Sequence, residues 1–503
     1  MNGKRGRVGR SPSALPNAAL LLDRAADVAL HTQLYRQLRD AILTGRLAAG
    51  ARLPSTRDLA RELEVSRNTT LEAFTQLSSE GYLEGHVGSG TYVSRQLPDD
   101  LLQLRERPRP ESRSSAPARA GGPRSAISPI SVAEYGGRPR PFRTSVPALD
   151  AFPYALWSRL LAHRWKASAR DLLTYGDAAG YRPLREAIAA YLSATRGVRC
   201  GPEQLILTNG SQHALMLTAT VLIDAGDSAW VEDPGFLGAR AALTNAGANV
   251  VAVPVDEQGL DVDAGVERAP HARIACVTPS HQYPLGPTLP LHRRLALLQW
   301  ASRAGAWIVE DDYDSEFRYS GRPLPALQGI DADDRVIYIG TFSKVLFPSI
   351  RTGYIVAPKH LVPAFLAARS LSGQQAPGLD HAVLCDFIEG GHFARHINRM
   401  RVVYAQRQRA LVSAAARELR GLLGVPPGEA GMHLIGWLPE GIDDRAAHRA
   451  ALGAGVEVTP LSAYCLEPPP RGALRLGYTG FSPRQLREGV RRLAEALKKL
   501  RRR

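Results

Sequence analysis

Residues 28–95 repeat apolar positions at helical spacing and then change to a hairpin pattern. Leu34, Leu38, Ala41 and Ile42 share one face of a helix predicted over His31 to Thr44, and Gly45 and Gly50 bracket its stop. Leu53-Pro54-Ser55 opens a second helix. Ser55 is its N-cap, Asp58 three residues on completes a variant capping box, and Leu59 and Leu63 face inward. Val65-Ser66 forms a turn. Arg67-Asn68-Thr69-Thr70 then begins a third helix with Leu71, Phe74 and Leu77 buried and Gly81 at its end. Tyr82-Leu83-Glu84 and Thr91-Tyr92-Val93 are the arms of a hairpin around Gly85 to Gly90. Three short helices followed by a hairpin predict a winged helix-turn-helix.

The periodicity stops over residues 96–140, where Pro, Ser and Arg dominate (Pro98, Pro108, Pro110, Pro117, Pro123, Pro129). This composition predicts a linker. As a flexible coil, such a segment spans on the order of 35 Å. Strands and helices alternate from residue 141 onward. Seven strand-like runs stand out: Gln204–Thr208, Ser228–Glu232, Asn249–Val255, Arg273–Pro279, Ala306–Asp311, Arg335–Ser343 and Thr352–Pro358. Several are continuously apolar, as expected of strands covered on both faces. Amphipathic helices follow near 360–370 and 380–420, and a smaller α+β part, from about residue 366 to 503, closes the chain. The fold class is α/β: a winged helix, a linker, and a domain over 141–503 built on a seven-stranded, mainly parallel sheet.

Composition adds partners and compartment. The 503 residues suit two to four domains, and 44% apolar content supports large cores. A net charge of +15, with a basic tail over residues 1–27, fits a polyanionic partner. The four cysteines (Cys200, Cys276, Cys385, Cys465) have no metal-ligand or redox spacing, so a reduced, cytoplasmic protein without a metal is expected. The apolar run Ala18–Leu22 is too short for a signal-peptide core, and Asp23 and Arg24 follow it directly. No uninterrupted apolar run approaches a membrane span.

Two motifs carry chemistry. Glu310-Asp311-Asp312-Tyr313 ends one apolar run, and Gly340-Thr341-Phe342-Ser343-Lys344 ends another. Strand ends in an open α/β sheet are where ligands bind. A lysine, a carboxylate and a phenol gathered there can hold an aldehyde cofactor with a basic ring nitrogen, pyridoxal phosphate (PLP). Lys344 is the candidate for a Schiff base with the aldehyde. Asp311 would face the ring nitrogen and Tyr313 the phenolic oxygen. Asn209-Gly210-Ser211-Gln212 follows a strand and opens a helix, whose N-terminus suits a phosphate. Thr341, Ser343 and Arg351 add hydroxyls and a counter-charge. Phe236 would stack on the ring. In the winged helix, Arg67, Asn68 and Thr69 at the start of the third helix are short or forked enough to reach base edges. Ser66 precedes them. Arg57 suits a phosphate contact, and the hairpin supplies His86 and Gly88.

The strings Leu53-Pro54-Ser55-Thr56-Arg57-Asp58-Leu59-Ala60, Val65-Ser66-Arg67-Asn68-Thr69, Glu80-Gly81-Tyr82-Leu83 and Gly88-Ser89-Gly90-Thr91 closely resemble the GntR family of bacterial regulators. Residues 141–503 resemble a fold-type I aminotransferase. The matching segments are Tyr175-Gly176-Asp177, Gly180-Tyr181, Pro183-Leu184-Arg185 and the Lys344 motif. Pro279-Ser280-His281-Gln282-Tyr283-Pro284-Leu285-Gly286 stands in the family's loop near the ring, which implies a cofactor contact for His281. Arg475, in Leu474-Arg475-Leu476-Gly477-Tyr478, matches the arginine that grips a substrate carboxylate. Together the two halves resemble the MocR family, as does Gly391 to Arg401. The resemblance implies a head-to-tail homodimer that binds double-stranded DNA and senses PLP, an amino compound, or both. A second carboxylate arginine of the GABA-responsive branch corresponds to Gly238 here, which argues against GABA as the effector. The alternative is a working PLP-dependent aminotransferase with an appended DNA-binding head.

Overall fold

The computed structural model describes residues 20–26, 28–86, 90–95, 97, 139–319, 325–372 and 378–501. Most of the expected basic tail, nearly all of the expected linker, and Gly88 lie outside these residues. The chain divides into two units, residues 1–120 and 121–503.

In the first unit α1 (Leu30–Leu43), α2 (Thr56–Glu62) and α3 (Arg67–Ser79) precede an antiparallel hairpin of β1 (Leu83–His86) and β2 (Gly90–Val93). The apolar positions converge as the spacing requires: Leu34, Leu38, Ile42, Leu59, Phe74 and Leu77 are buried together. Leu71 is an exception. It is 46% exposed, and Thr70 is buried in its place. The Thr70 hydroxyl donates to the carbonyls of Thr56 and Arg67, which ties α3 to α2. The start of α2 also departs from a true capping box. Ser55 Oγ accepts from the Asp58 backbone N–H, but the Asp58 carboxylate receives the Ser55 hydroxyl and not the Ser55 backbone N–H.

The second unit is built on a mixed sheet. Its strands are β3 (Leu205–Thr208), β4 (Ser228–Asp233), β5 (Asn249–Asp256), β6 (Gly259–Leu260), β7 (Ile274–Val277), β8 (Trp307–Asp312), β9 (Val336–Thr341) and β10 (Gly353–Val356). Their order is β3-β10-β9-β8-β7-β4-β5-β6. The seven expected strands are all present, and the eighth, β6, is a two-residue return paired antiparallel with β5. It is too short to leave a pattern in the sequence. The run β5-β4-β7-β8-β9 is parallel, whereas β10 is antiparallel to both its neighbours. Residues of β3, β7, β8, β9 and β10 are buried throughout, because helices cover both faces.

The second expected long helix, near 380–420, is divided. Helices span Gly378–Glu389 and His392–Glu418, and Gly391 breaks them with φ of 67°. A three-stranded antiparallel sheet follows, with β13 (Ala473–Gly477) between β11 (His433–Trp437) and β12 (Thr459–Pro460). A last helix, Pro483–Arg501, packs against the helices His392–Glu418 and Asp444–Gly453 and buries Leu486, Val490, Leu493 and Leu497.

Candidate functional site

The period of two along β8 sorts its three acids. Glu310 and Asp312 point to one face and are fully engaged. Glu310 accepts from the backbone N–H groups of Leu327 and Gln328 at 2.8 and 2.9 Å. Asp312 receives Arg196 at 2.9 Å and the Tyr338 hydroxyl at 2.6 Å. Asp311 points to the opposite face, and its Oδ1 is buried with no hydrogen-bond partner. Burial first, then the nearby Asp312 and Glu232, pushes its carboxyl up to about 7; Lys344 opposes this. Lys344 lies just beyond the neighbouring parallel strand β9. Burial lowers its ammonium to about 8, against the pull of Asp311 and Asp314.

The remaining expected site residues fall into two groups. At the start of the helix Ser211–Leu222, Gly210 adopts φ of 87°, a conformation that favours glycine. The first-turn N–H groups of Ser211 and Gln212 have no carbonyl within the helix to bind. Arg351 reaches this turn: its Nη2 donates to the Asn209 carbonyl at 3.1 Å. Ser343 Oγ is buried and unpartnered, as Asp311 Oδ1 is. Thr341 turns its Oγ1 to the local backbone, receiving the Ser343 N–H at 3.2 Å. The Gln212 amide is tied to the Gly238 carbonyl at 3.0 Å.

The second group is aromatic. The Tyr313 hydroxyl lies 2.8 Å from His281 Nδ1, and the same nitrogen lies 3.1 Å from Asp314 Oδ1. Phe236 packs edge-on against Tyr283 at 5.4 Å between centroids. Arg475 is buried, with its guanidinium carbon 4.8 Å from the Tyr283 ring centroid and 4.9 Å from that of Tyr464. Tyr283, Tyr464, Asp314 and Glu232 were not singled out as site residues by sequence reasoning. Tyr283 was legible only as part of the loop Pro279–Gly286, and the others carried no local signal. Gly238 is also constrained. A Cβ there would lie 2.1 Å from Gln212 Oε1 and 2.6 Å from the Phe236 ring, so no larger side chain fits this packing.

The donors fit PLP. The orphan Asp311 oxygen suits a ring N–H, and the lysine amine suits an aldehyde. The helix N-terminus, Arg351 and Ser343 Oγ suit a phosphate dianion. Among the described residues no His, Cys, Asp and Glu cluster could hold a metal ion, and no helix is long and apolar enough to cross a membrane.

In the first unit, Arg57, Arg67 and Asn68 are exposed. Ser66 caps α3 by accepting the Thr69 N–H at 3.1 Å, and its Oγ lies 2.8 Å from Thr69 Oγ1. Both of these hydroxyls therefore serve the cap. His86 ends β1 opposite Gly90.

Comparison with known proteins agrees with this division. Residues 30–93 match the gntR family of bacterial regulatory proteins, and residues 153–493 match aminotransferase class I and II. The chain is 44% identical to a probable rhizopine catabolism regulatory protein MocR of Rhizobium meliloti, over 95% of each chain. The chain belongs to the MocR family of helix-turn-helix transcriptional regulators. Another relative of this MocR-type chain is the pyridoxine biosynthesis transcriptional regulator PdxR of Corynebacterium glutamicum, 33% identical over 90% of this chain and 92% of that one. Among solved structures, the kynurenine aminotransferase of Pyrococcus horikoshii superposes with a TM-score of 0.67 at 29% identity. That match covers 71% of this chain and 90% of the enzyme. LysN, the alpha-aminoadipate aminotransferase of Thermus thermophilus, gives 0.67 at 30% identity over 72% of this chain and 92% of that one. The aminotransferase class I and II fold is one of PLP-dependent proteins, and GntR-type regulators bind DNA.

Proposed function

We propose that this chain regulates transcription in response to PLP, or an amino compound that joins it, held at Lys344. The single observation carrying the reading is the buried, unpartnered Asp311 Oδ1 on the strand beside Lys344. An isolated buried carboxylate oxygen is costly, and a ring N–H aimed at it removes that cost. When bound, PLP supplies an electrophilic aldehyde and an electron-withdrawing ring.

The protein's residues do the rest. Burial keeps part of the Lys344 population neutral near physiological pH, the form that attacks an aldehyde. Asp311 holds a proton on the ring nitrogen. Tyr313, itself placed by His281, orients the phenolic oxygen. Gly210, Ser211, Gln212, Ser343 and Arg351 retain the phosphate, and Phe236 covers the ring. Arg475 offers a guanidinium fork to a carboxylate. The heads work as a pair in a homodimer, with Arg67 and Asn68 at base edges and Arg57 on phosphate. The name of the Corynebacterium relative, a regulator of pyridoxine biosynthesis, supports a vitamin B6 compound as the signal.

The test is spectroscopic. PLP added to the cofactor-free chain is expected to give a visible absorbance band that Lys344→Ala lacks. PLP is also expected to change affinity for the intergenic DNA upstream of the protein's own gene. A band of equal intensity in Lys344→Ala would overturn the anchor assignment. Steady turnover of amino donor and keto acid, with no effect on DNA, would favour the enzyme reading instead.

A further inference from the structure

The segment through which the chain enters the second unit lies against Arg475. Residues Arg140 to Val146 run along β13 and the turn after it. The Phe142 carbonyl accepts from the Gly477 N–H at 2.9 Å, and the Pro141 carbonyl accepts from the Glu457 N–H at 2.8 Å. Arg143 Nε donates to Glu457 at 2.8 Å, and the Thr479 hydroxyl donates to the Val146 carbonyl at 2.6 Å.

Three glycines make room for this strap. A Cβ on Gly477 would lie 2.4 Å from the Arg143 carbonyl oxygen. One on Gly480 would lie 2.6 Å from Val146, and one on Gly489 2.8 Å from Pro141. Between its anchored ends, Phe142 and Ser145 both adopt left-handed backbone, with φ of 73° and 64°. Non-glycine residues hold that conformation only where the surroundings enforce it, and such sites cluster at ligand clamps.

Thr144 lies between these two residues. Arg475 donates from one terminal nitrogen to Thr144 Oγ1 and from the other to the Tyr283 hydroxyl. Two hydroxyl oxygens thus occupy the two prongs of a fork whose shape suits the two oxygens of a carboxylate.

We propose that Thr144 and Tyr283 are effector-site residues that stand in for the carboxylate of an α-amino acid. On binding, the carboxylate takes the Arg475 fork and releases Thr144. The strap is where the described part of the second unit begins, at residue 139, so its release on binding would couple occupancy of the fork to the DNA-binding unit. This rests on the reading of Arg475 as the carboxylate site. Where DNA also binds the two strap arrangements unequally, a ligand that does so is, by linkage, bound unequally by DNA-bound and free protein.

The PLP-loaded full-length chain would be titrated with each of the twenty standard amino acids, following the cofactor band and the affinity for the upstream DNA. In the unsubstituted chain at least one amino acid is expected to change both. Thr144→Val keeps the β-branched shape and removes the acceptor. It should retain the cofactor band and bind that amino acid about tenfold more tightly, because a competing bond to a charged group is gone. Its DNA affinity should no longer respond. Thr144→Ser should restore the response. An unchanged DNA response in Thr144→Val at unchanged amino-acid affinity would overturn the proposal. So would a cofactor band in the unsubstituted chain that no amino acid perturbs. Absence of the band itself would instead sink the PLP reading on which the proposal stands.

Discussion

At the residue scale, one strand shows how position divides like side chains into different roles. Glu310 and Asp312 are buried and fully hydrogen-bonded, so they hold the fold. Asp311, between them, is buried and left with an unsatisfied oxygen. Its carboxyl sits at about 7 instead of 3.8. Between those values the cofactor-free folded chain binds more protons than the unfolded chain, so its stability falls as pH rises through that window. Asp311→Asn is therefore expected to raise the melting temperature of the cofactor-free chain. The gain should be full above about pH 7 and vanish near about pH 4. The same substitution should weaken PLP binding. Thermal melts across this range, with and without PLP, check both directions. The Lys344 and Asp311 motifs were legible because each is contiguous and ends an apolar run. Thr144 was not legible as a partner of Arg475, because 331 residues separate them and no local pattern links them.

At the element scale, helix starts were easier to read than helix faces. Ser55 accepts the Asp58 N–H, as expected of the N-cap read there. Ser66, read as part of a turn and as a DNA contact, accepts the Thr69 N–H in the same way. Ser66→Ala should cost the winged-helix unit about 1 kcal/mol, measured as a lower denaturant midpoint for that unit. Leu71 was misassigned because one apolar residue in a thirteen-residue helix fits two neighbouring faces, and the contact with α2 selects Thr70. The break at Gly391 escaped the periodicity because apolar residues continue on both sides of it. For Leu71 the missing information lay in a neighbouring element, and at Gly391 it lay in the local backbone.

At the scale of the whole molecule, a DNA-binding unit and an aminotransferase-like unit are joined in one chain. Arg67 is exposed at the start of α3. Arg67→Gln should weaken binding to the upstream DNA. If its partner is a phosphate, the slope of log affinity against log salt should fall by about one. If its partner is a guanine edge, discrimination should fall by about 1–3 kcal/mol at a single base position. Competition assays at several salt concentrations separate the two.

The amino-acid sequence by itself determined the two units, their fold classes, the strand ends and the lysine motif. These depend on period, capping and contiguous side chains, which local chemistry dictates. Only the tertiary structure decided which acid of β8 is left without a partner and which hydroxyls occupy the Arg475 fork. It also decided that the segment Arg140 to Val146 brings Thr144 to that fork. These are encounters between residues far apart in the chain, and they exist only once the sheet and the small C-terminal part have brought their surfaces together.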